Sequence, residues 1–323
     1  MSSDPSLPAP PGVEYCYRHP SEQTGVHCTR CGRPICPACM IEAPVGYQCP
    51  ECVAEARREF RKGPGRRIAV ANARSMSVTK ILLGVILASY VIEVVVGGPG
   101  SILSGPSSRD LIELGGSVTL FPTPDGGVGG IAAGQYWRIL SSMFLHVGLI
   151  HLAFNSYALW IFGTFLEQEL GRLRFVLVYL VTGICAGAVA YAWAPFATDG
   201  GRLTITVGVG ASGAIFGVFG AFVTYNYRRR GSALAQARLR QAAFLLLLNA
   251  VIGLSVPAID WRAHVGGFVA GLAAGYVAEG SGTLTRRKAI LVAGTAALLL
   301  AAGVLTVWRT ADIRSMFPPG TFG

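Results

Sequence analysis

The stretch VGVGASGAIFGVFGAF, residues 207–222, carries one hydroxyl, Ser212, in a run otherwise made of glycine and apolar residues. Such a run is either a membrane helix or a buried core helix. Ser212 stands where it begins, with Gly210 and Gly213 on either side. A serine there is a packing residue or a nucleophile, and the rest of the chain has to supply the choice.

The 323 residues are 52% hydrophobic and 14% charged, with mean hydropathy +0.49. Soluble domains carry about 25% charge. The first 80 residues are polar and rich in Cys, Pro and Arg, and from Ile81 onward apolar runs alternate with short basic or glycine-rich breaks. Seven spans are predicted, at about 81–96, 147–166, 173–193, 213–227, 242–256, 263–279 and 289–308. If residues 1–80 lie inside, all but six of the 27 Lys and Arg fall on the inner side. That asymmetry predicts a cytoplasmic N-terminus, a C-terminus outside and a multi-pass cell-membrane protein. The net charge of +10 is then mostly a topology signal, and nucleic acid is not expected as a partner. Residues 1–14 read as a disordered tail with neither the basic nor the apolar region of a signal peptide.

Seven of the eight cysteines fall in residues 16–52, as Cys16-x2-His19, Cys28-x2-Cys31, Cys36-x2-Cys39 and Cys49-x2-Cys52. Four such pairs suffice for two tetrahedral structural zinc ions (Zn2+). A reducing interior disfavours the alternative, disulfides. Only four residues separate Cys31 from Cys36, too few for an easy independent fold-back, so an interleaved arrangement of the pairs stands beside a sequential one. The segment resembles a B-box-type zinc finger, in which the pairs interleave. That would join Cys16, His19, Cys36 and Cys39 on one ion and Cys28, Cys31, Cys49 and Cys52 on the other. The match is partial, because the last pair is Cys-Cys where that pattern usually ends in His. His27 is left over as an exposed residue. The head, residues 15–53, should depend on metal for stability and dock a cytoplasmic protein partner. Residues 54–79 form a basic, partly helical linker.

Polar groups inside spans are costly and usually functional. Ser212, His151, Asn155 and His264 lie on three predicted spans that run the same way, outside to inside. Ser212 precedes Arg228 by 16 residues, His151 precedes Glu167 by 16, Asn155 by 12, and His264 precedes Glu279 by 15. At about 1.5 Å per residue all four lie roughly 18–24 Å above the inner face, below the outer surface. Glycine stripes, Gly267-x3-Gly271-x3-Gly275 on the sixth span and Gly213-x3-Gly217 with Gly220 on the fourth, predict close packing of these two helices. Apposition would let His264 act as base to the Ser212 hydroxyl. Free N–H groups at the start of the Ser212 helix, with His151 and Asn155, would hold the oxyanion. The nearest Asp, Asp260, falls in a loop, so a Ser-His dyad is predicted and not a triad.

GASGAIFG (210–217), HLAFN (151–155), AHVGG (263–267) and YWRILSSMFLH (136–146) resemble the rhomboid intramembrane serine proteases. The resemblance covers about 75–308. It implies an all-α polytopic membrane protein, with a six-helix core over residues 80–280 and an added transmembrane helix and C-terminal tail over 281–323. It implies cleavage of transmembrane protein substrates in the lipid bilayer, with Ser212 as nucleophile, His264 as base, and His151, Asn155 and the Ser212 backbone as oxyanion donors, and no cofactor for catalysis. Phe216 stands where the family often has Tyr, keeping the ring and losing its hydroxyl. A catalytically inactive relative that binds membrane helices, or a transporter using His151, Asn155 and His264, are the competing readings. The chain has no H-E-x-x-H and no Asp inside a predicted span, which argues against metal-dependent and aspartyl intramembrane proteases. His146 is expected to be structural, Trp137 and Arg138 to hold the first outer loop, Glu93 to be interfacial, and Cys185 to be a packing residue.

Overall fold

The computed structural model describes residues 14–43, 45–62, 77–195, 198–199, 202–203, 205–256, 259–318 and 321. The expected disordered tail and much of the expected linker lie outside these residues. The chain divides into two compact units, Met1–Met76 and Ser77–Gly323.

The first unit is built on loops. Strands β1 (Ile41–Glu42) and β2 (Tyr47–Gln48) form a two-residue antiparallel hairpin. Helix α1 (Pro50–Lys62) begins with Pro in its first turn and crosses the expected 53/54 boundary. Arg30 ties it back, donating to the Cys52 carbonyl at 2.9 Å and to Glu59 at 3.1 Å. The buried set is six of the head's cysteines plus Ile35, which is hardly a hydrophobic core.

The second unit is a helical bundle of α2 (Val78–Gly97), α3 (Gly148–Leu170, with a π-helical turn at Leu159–Gly163), α4 (Arg172–Ala192), α5 (Ser212–Tyr227), α6 (Ala233–Ser255), α7 (Trp261–Glu279) and α8 (Leu284–Arg314). Five of them, α2, α3, α4, α6 and α8, are long and apolar enough to cross a membrane. The other two are shorter and glycine-rich, and α5 is almost wholly buried. Helices α6 and α8 start well before the predicted spans 242–256 and 289–308. Apolarity marks lipid contact, whereas helix ends are set by caps. Ser232 accepts from the Ala235 N–H at 3.2 Å and Thr283 from the Arg286 N–H at 3.4 Å.

Close backbone contact holds the centre together. A Cβ on Gly267 would lie 2.0 Å from the Gly213 carbonyl oxygen, and one on Gly271 would lie 2.1 Å from that of Gly217. The expected packing of α5 on α7 is therefore present, but the α5 stripe divides its work. A Cβ on Gly213 would meet Ala186 of α4 at 2.7 Å and one on Gly217 would meet Thr182 of α4 at 1.9 Å, while one on Gly220 would lie 2.3 Å from the Phe268 carbonyl oxygen of α7. Helix α5 is wedged between two neighbours at once.

Towards the C-terminal end of α3, Glu167 caps α2. Its carboxylate accepts from Val78 N at 2.7 Å, Thr79 N at 2.9 Å, Thr79 Oγ1 at 2.8 Å and Ser77 Oγ at 2.6 Å. A helix N-terminus leaves such donors orphaned, and here a carboxylate distant in sequence satisfies them.

Between α2 and α3 the long loop is structured. It holds short helices at Ser101–Ser104, Ser108–Glu113 and Arg138–Ser141, and strands β3 (Ser117–Val118), β4 (Phe121–Pro122) and β5 (Val128–Gly129). Strands β6 (Thr198–Asp199) and β7 (Arg202–Leu203) pair with each other, and β8 (Val207–Gly208) pairs antiparallel with β3. That last pairing sets the approach to Ser212.

Candidate active site and metal clusters

Ser212 is the first residue of α5. Helices α6, α7 and α8 start with a side-chain cap, but α5 starts on Ala211, which offers none. The N–H groups of its first turn have no partner within the helix and lie at the positive end of its dipole. At 16 residues α5 is about 24 Å long, less than the roughly 30 Å hydrocarbon core, consistent with a submerged start.

Gly210, two residues earlier, has φ +130°, a conformation that glycine tolerates, and its N–H donates to the Ser142 carbonyl at 2.9 Å. A Cβ there would strike the His151 ring, 2.9 Å from Nε2, and would lie 3.7 Å from Ser212 Oγ. The missing side chain leaves a notch bordered by both groups. His151 sits in the first turn of α3, and its Nδ1 accepts from the Val147 N–H at 3.2 Å. An accepting Nδ1 puts the proton of the neutral ring on Nε2, so an N–H faces the notch. Asn155 is buried one turn on, and its Nδ2 donates to the His151 carbonyl at 2.9 Å. The amide keeps a second N–H.

His264 lies in the first turn of α7. Phe216, one turn after Ser212, stacks on it with centroids 4.2 Å apart and planes 13° apart. The stack forms with a ring that carries no hydroxyl. Asp260 caps α7 by accepting from the Arg262 N–H at 3.0 Å, and among the described residues no hydrogen bond joins its carboxylate to the His264 ring. Ser212 and His264 thus begin two helices in backbone contact, and Ser212, His151, Phe216 and His264 are all half-buried. Among the described residues no hydrogen bond joins the Ser212 hydroxyl to His264 in this structure.

His146 is fully buried and its ring lies 5.1 Å from that of His151. Its backbone N–H donates to both carboxylate oxygens of Glu93, at 3.1 and 2.9 Å. Glu93, expected at the membrane interface from its place near a span end, is wholly buried within the protein. The signal was available, since a carboxylate in an apolar helix is costly unless it is bonded. Arg138 is buried as well. Its Nη1 donates to the carbonyls of Ile112 at 2.7 Å and Gly116 at 3.0 Å, and its Nε to Gln135 Oε1 at 2.6 Å. Cys185 packs between α4 and α8 with its thiol 3.6 Å from the Leu298 carbonyl.

In the head the ligand atoms of Cys16, His19, Cys36 and Cys39 converge, as do those of Cys28, Cys31, Cys49 and Cys52, each group within 4.8 Å. The pairs interleave. A tetrahedral zinc with Zn–S near 2.3 Å separates its sulfurs by about 3.8 Å, and Cys31 and Cys49 Sγ are 3.8 Å apart. His19 Nδ1 lies 3.3 Å from Cys36 Sγ and 3.4 Å from Cys39 Sγ. Donor type, number and spacing fit zinc at both clusters. Arg33 donates from Nε to Cys31 Sγ at 3.3 Å and draws that thiol down to about 6. Burial pushes Cys39 up to about 11 and Cys52 up to about 12. So many sulfurs in one place cannot all ionise without a cation among them. His27 is exposed and pairs with Glu14.

The rhomboid domain profile matches residues 133–280. Rhomboid protease GluP of Bacillus subtilis is 36% identical over 141 residues, covering 44% of this chain and 26% of that protein. YdcA of the same organism is 34% identical over 142 residues, 44% of this chain and 67% of that protein. Rhomboid protease AarA of Providencia stuartii is 33% identical over 152 residues, 43% of this chain and 54% of that protein. The match thus spans about a quarter of GluP, about half of AarA and two thirds of YdcA. The profile match falls wholly on the helical bundle and not on the cysteine-rich head. With these relatives and its long apolar helices, the chain is a multi-pass membrane protein that belongs to the rhomboid family.

Proposed function

We propose that the protein is an intramembrane serine endopeptidase cleaving transmembrane segments of other membrane proteins. The observation that carries this reading is the Gly210 notch. It is bordered by Ser212 Oγ and by the Nε2 of His151, at the uncapped start of α5 and beside the helix that carries His264. GluP and AarA are named as rhomboid proteases.

In this reading the Ser212 hydroxyl attacks the scissile carbonyl carbon and His264 takes the hydroxyl proton. The oxyanion is held by His151 Nε2–H, the free Asn155 N–H and the backbone N–H groups of the first α5 turn. Collapse breaks the C–N bond, and His264 delivers the proton to the leaving amine. Water, activated by the same ring, then hydrolyses the acyl ester and restores Ser212. Phe216 orients the imidazole by stacking, and Asp260 takes no part. In the structure described here the Ser212–His264 hydrogen bond is open, and catalytic contacts often close only around substrate.

The head binds two structural zinc ions, one at Cys16, His19, Cys36 and Cys39 and one at Cys28, Cys31, Cys49 and Cys52. It serves to dock a cytoplasmic protein or to regulate the protease. The charge asymmetry supports a cytoplasmic N-terminus and an external C-terminus.

The open Ser212–His264 pair favours one competing reading, an inactive helix-binding relative. Purified protein in detergent, given a labelled single-span substrate, decides between them. Cleavage that disappears in Ser212→Ala supports the protease. Substrate bound and left intact by wild type supports the binder.

A further inference from the structure

Helix α8 lies beyond the segment matched by the rhomboid profile, which ends at residue 280. Its 31 residues rise about 46 Å against a hydrocarbon core of about 30 Å, so it outreaches the bilayer unless steeply tilted. The last turns are firmly held. Ile313 is fully buried, in a cluster with Leu120, Ile131, Ala132, Ile139 and Tyr191. Thr310 Oγ1 is 3.0 Å from Tyr191 OH, and Arg309 Nη2 donates to the Ala194 carbonyl at 3.2 Å. Arg314 Nε donates to the Ala132 carbonyl at 2.7 Å.

Ala132 belongs to the turn that presents Gln135. Gln135 Oε1 accepts from Gly130 N at 2.9 Å and from Arg138 Nε at 2.6 Å. Arg138 in turn donates to the carbonyls of Ile112 and Gly116. The next two residues are β3, whose Ser117 stands opposite Gly208 of β8. Four residues after Gly208 comes Ser212. A two-residue strand pair is marginal by itself and Ala211 supplies no cap, so the segment before Ser212 needs support from elsewhere.

We propose that Ile313 and Arg314 are positioning residues for the Ser212 segment. Their grip on the 130–135 turn is passed through Gln135 and Arg138 to β3. The β3–β8 pair then holds residues 207–211 in the conformation that opens the Gly210 notch. The added C-terminal helix is in this account a brace on the active site. Its effect on rate rests on reading Ser212 as the nucleophile, whereas the brace itself does not.

Amide hydrogen exchange on the full chain in lipid nanodiscs tests the brace without reference to activity. In Arg314→Ala and in Ile313→Ala, amides of 131–135 and 207–211 should exchange about tenfold faster, the size of one lost interaction. Those of α7 should be unchanged. Arg314→Lys, which keeps a donor, should fall between. Unchanged exchange at 207–211 overturns the proposal. Acceleration spread through α5 and α7 also overturns it, because α8 would then be a general support. In the cleavage assay, kcat should fall about fivefold to tenfold in Arg314→Ala with KM unchanged. An unchanged kcat alongside faster exchange would overturn the positioning role. Wild type that cleaves nothing would defeat the protease reading, and the exchange result would still decide the brace.

Discussion

The head and the membrane unit meet the same difficulty by opposite means. The head has almost no hydrophobic core, and the membrane unit, although it buries an apolar cluster around Leu159, Phe175 and Val218, must still draw α5 and α7 together. The head gathers seven cysteines and a histidine at two points, and its buried set is nearly all sulfur. The membrane unit removes side chains instead: Gly267 and Gly271 bring α7 onto the carbonyls of α5. Between helices in lipid there is little hydrophobic drive, so packing distance decides. One unit is arranged around two clusters that fit a metal ion, and the other is drawn together by atoms left out. Damage to one should leave the other standing.

The largest effect should come from metal removal. Structural zinc binding is worth about 10 kcal/mol or more to folding in small domains. A strong chelator should abolish amide protection over residues 16–52 and leave the thermal midpoint of the helical unit where it was. Chelation that lowered both together would break the comparison. Next is Gly271→Leu, whose Cβ would lie 2.1 Å from the Gly217 carbonyl oxygen. Backbone cannot yield cheaply there, and a loss above about 4 kcal/mol is expected. It should appear as aggregation or loss of folded helical unit, with two zinc ions per chain still bound.

Glu167→Ala is the third case. It strips the start of α2 of four hydrogen bonds and should cost about 3 kcal/mol. The thermal midpoint should fall, with Glu167→Gln closer to wild type. The smallest effect is expected from Phe216→Tyr. The stack on His264 is kept, so stability should move by less than about 1 kcal/mol and cleavage rate by less than about threefold. A larger gain in rate would show that the lost hydroxyl matters to this site.

Local spacing made much of this legible. Pairs of ligands with two residues between them announced metal chemistry, and counts of 12 to 16 residues to the predicted inner helix ends pointed to Ser212, His151, Asn155 and His264 as one group. The interleaving of the pairs could not be read from intervals alone, because both arrangements use the same spacing. The α5 glycines were legible as a stripe, but which neighbour each one faced depended on helix rotation. That is why Gly213 and Gly217 turn out to point at α4 and Gly220 at α7. The burial of Glu93 was not legible from its place near a span end, because its partner, the His146 N–H, is 53 residues away. Contacts such as Glu167 with Val78, or Arg314 with Ala132, join residues that share no periodicity, and so leave no mark in the sequence.

The proposed chemistry requires the fold to make Ser212 a nucleophile with His264 as its base. A fluorophosphonate that captures only activated serine hydroxyls, followed by mass spectrometry of the intact and digested chain, tests it directly. A single adduct is expected, on Ser212, formed in wild type and absent from a His264→Ala protein that remains folded. A folded wild-type protein left unlabelled at Ser212, or one labelled equally well without His264, would contradict it.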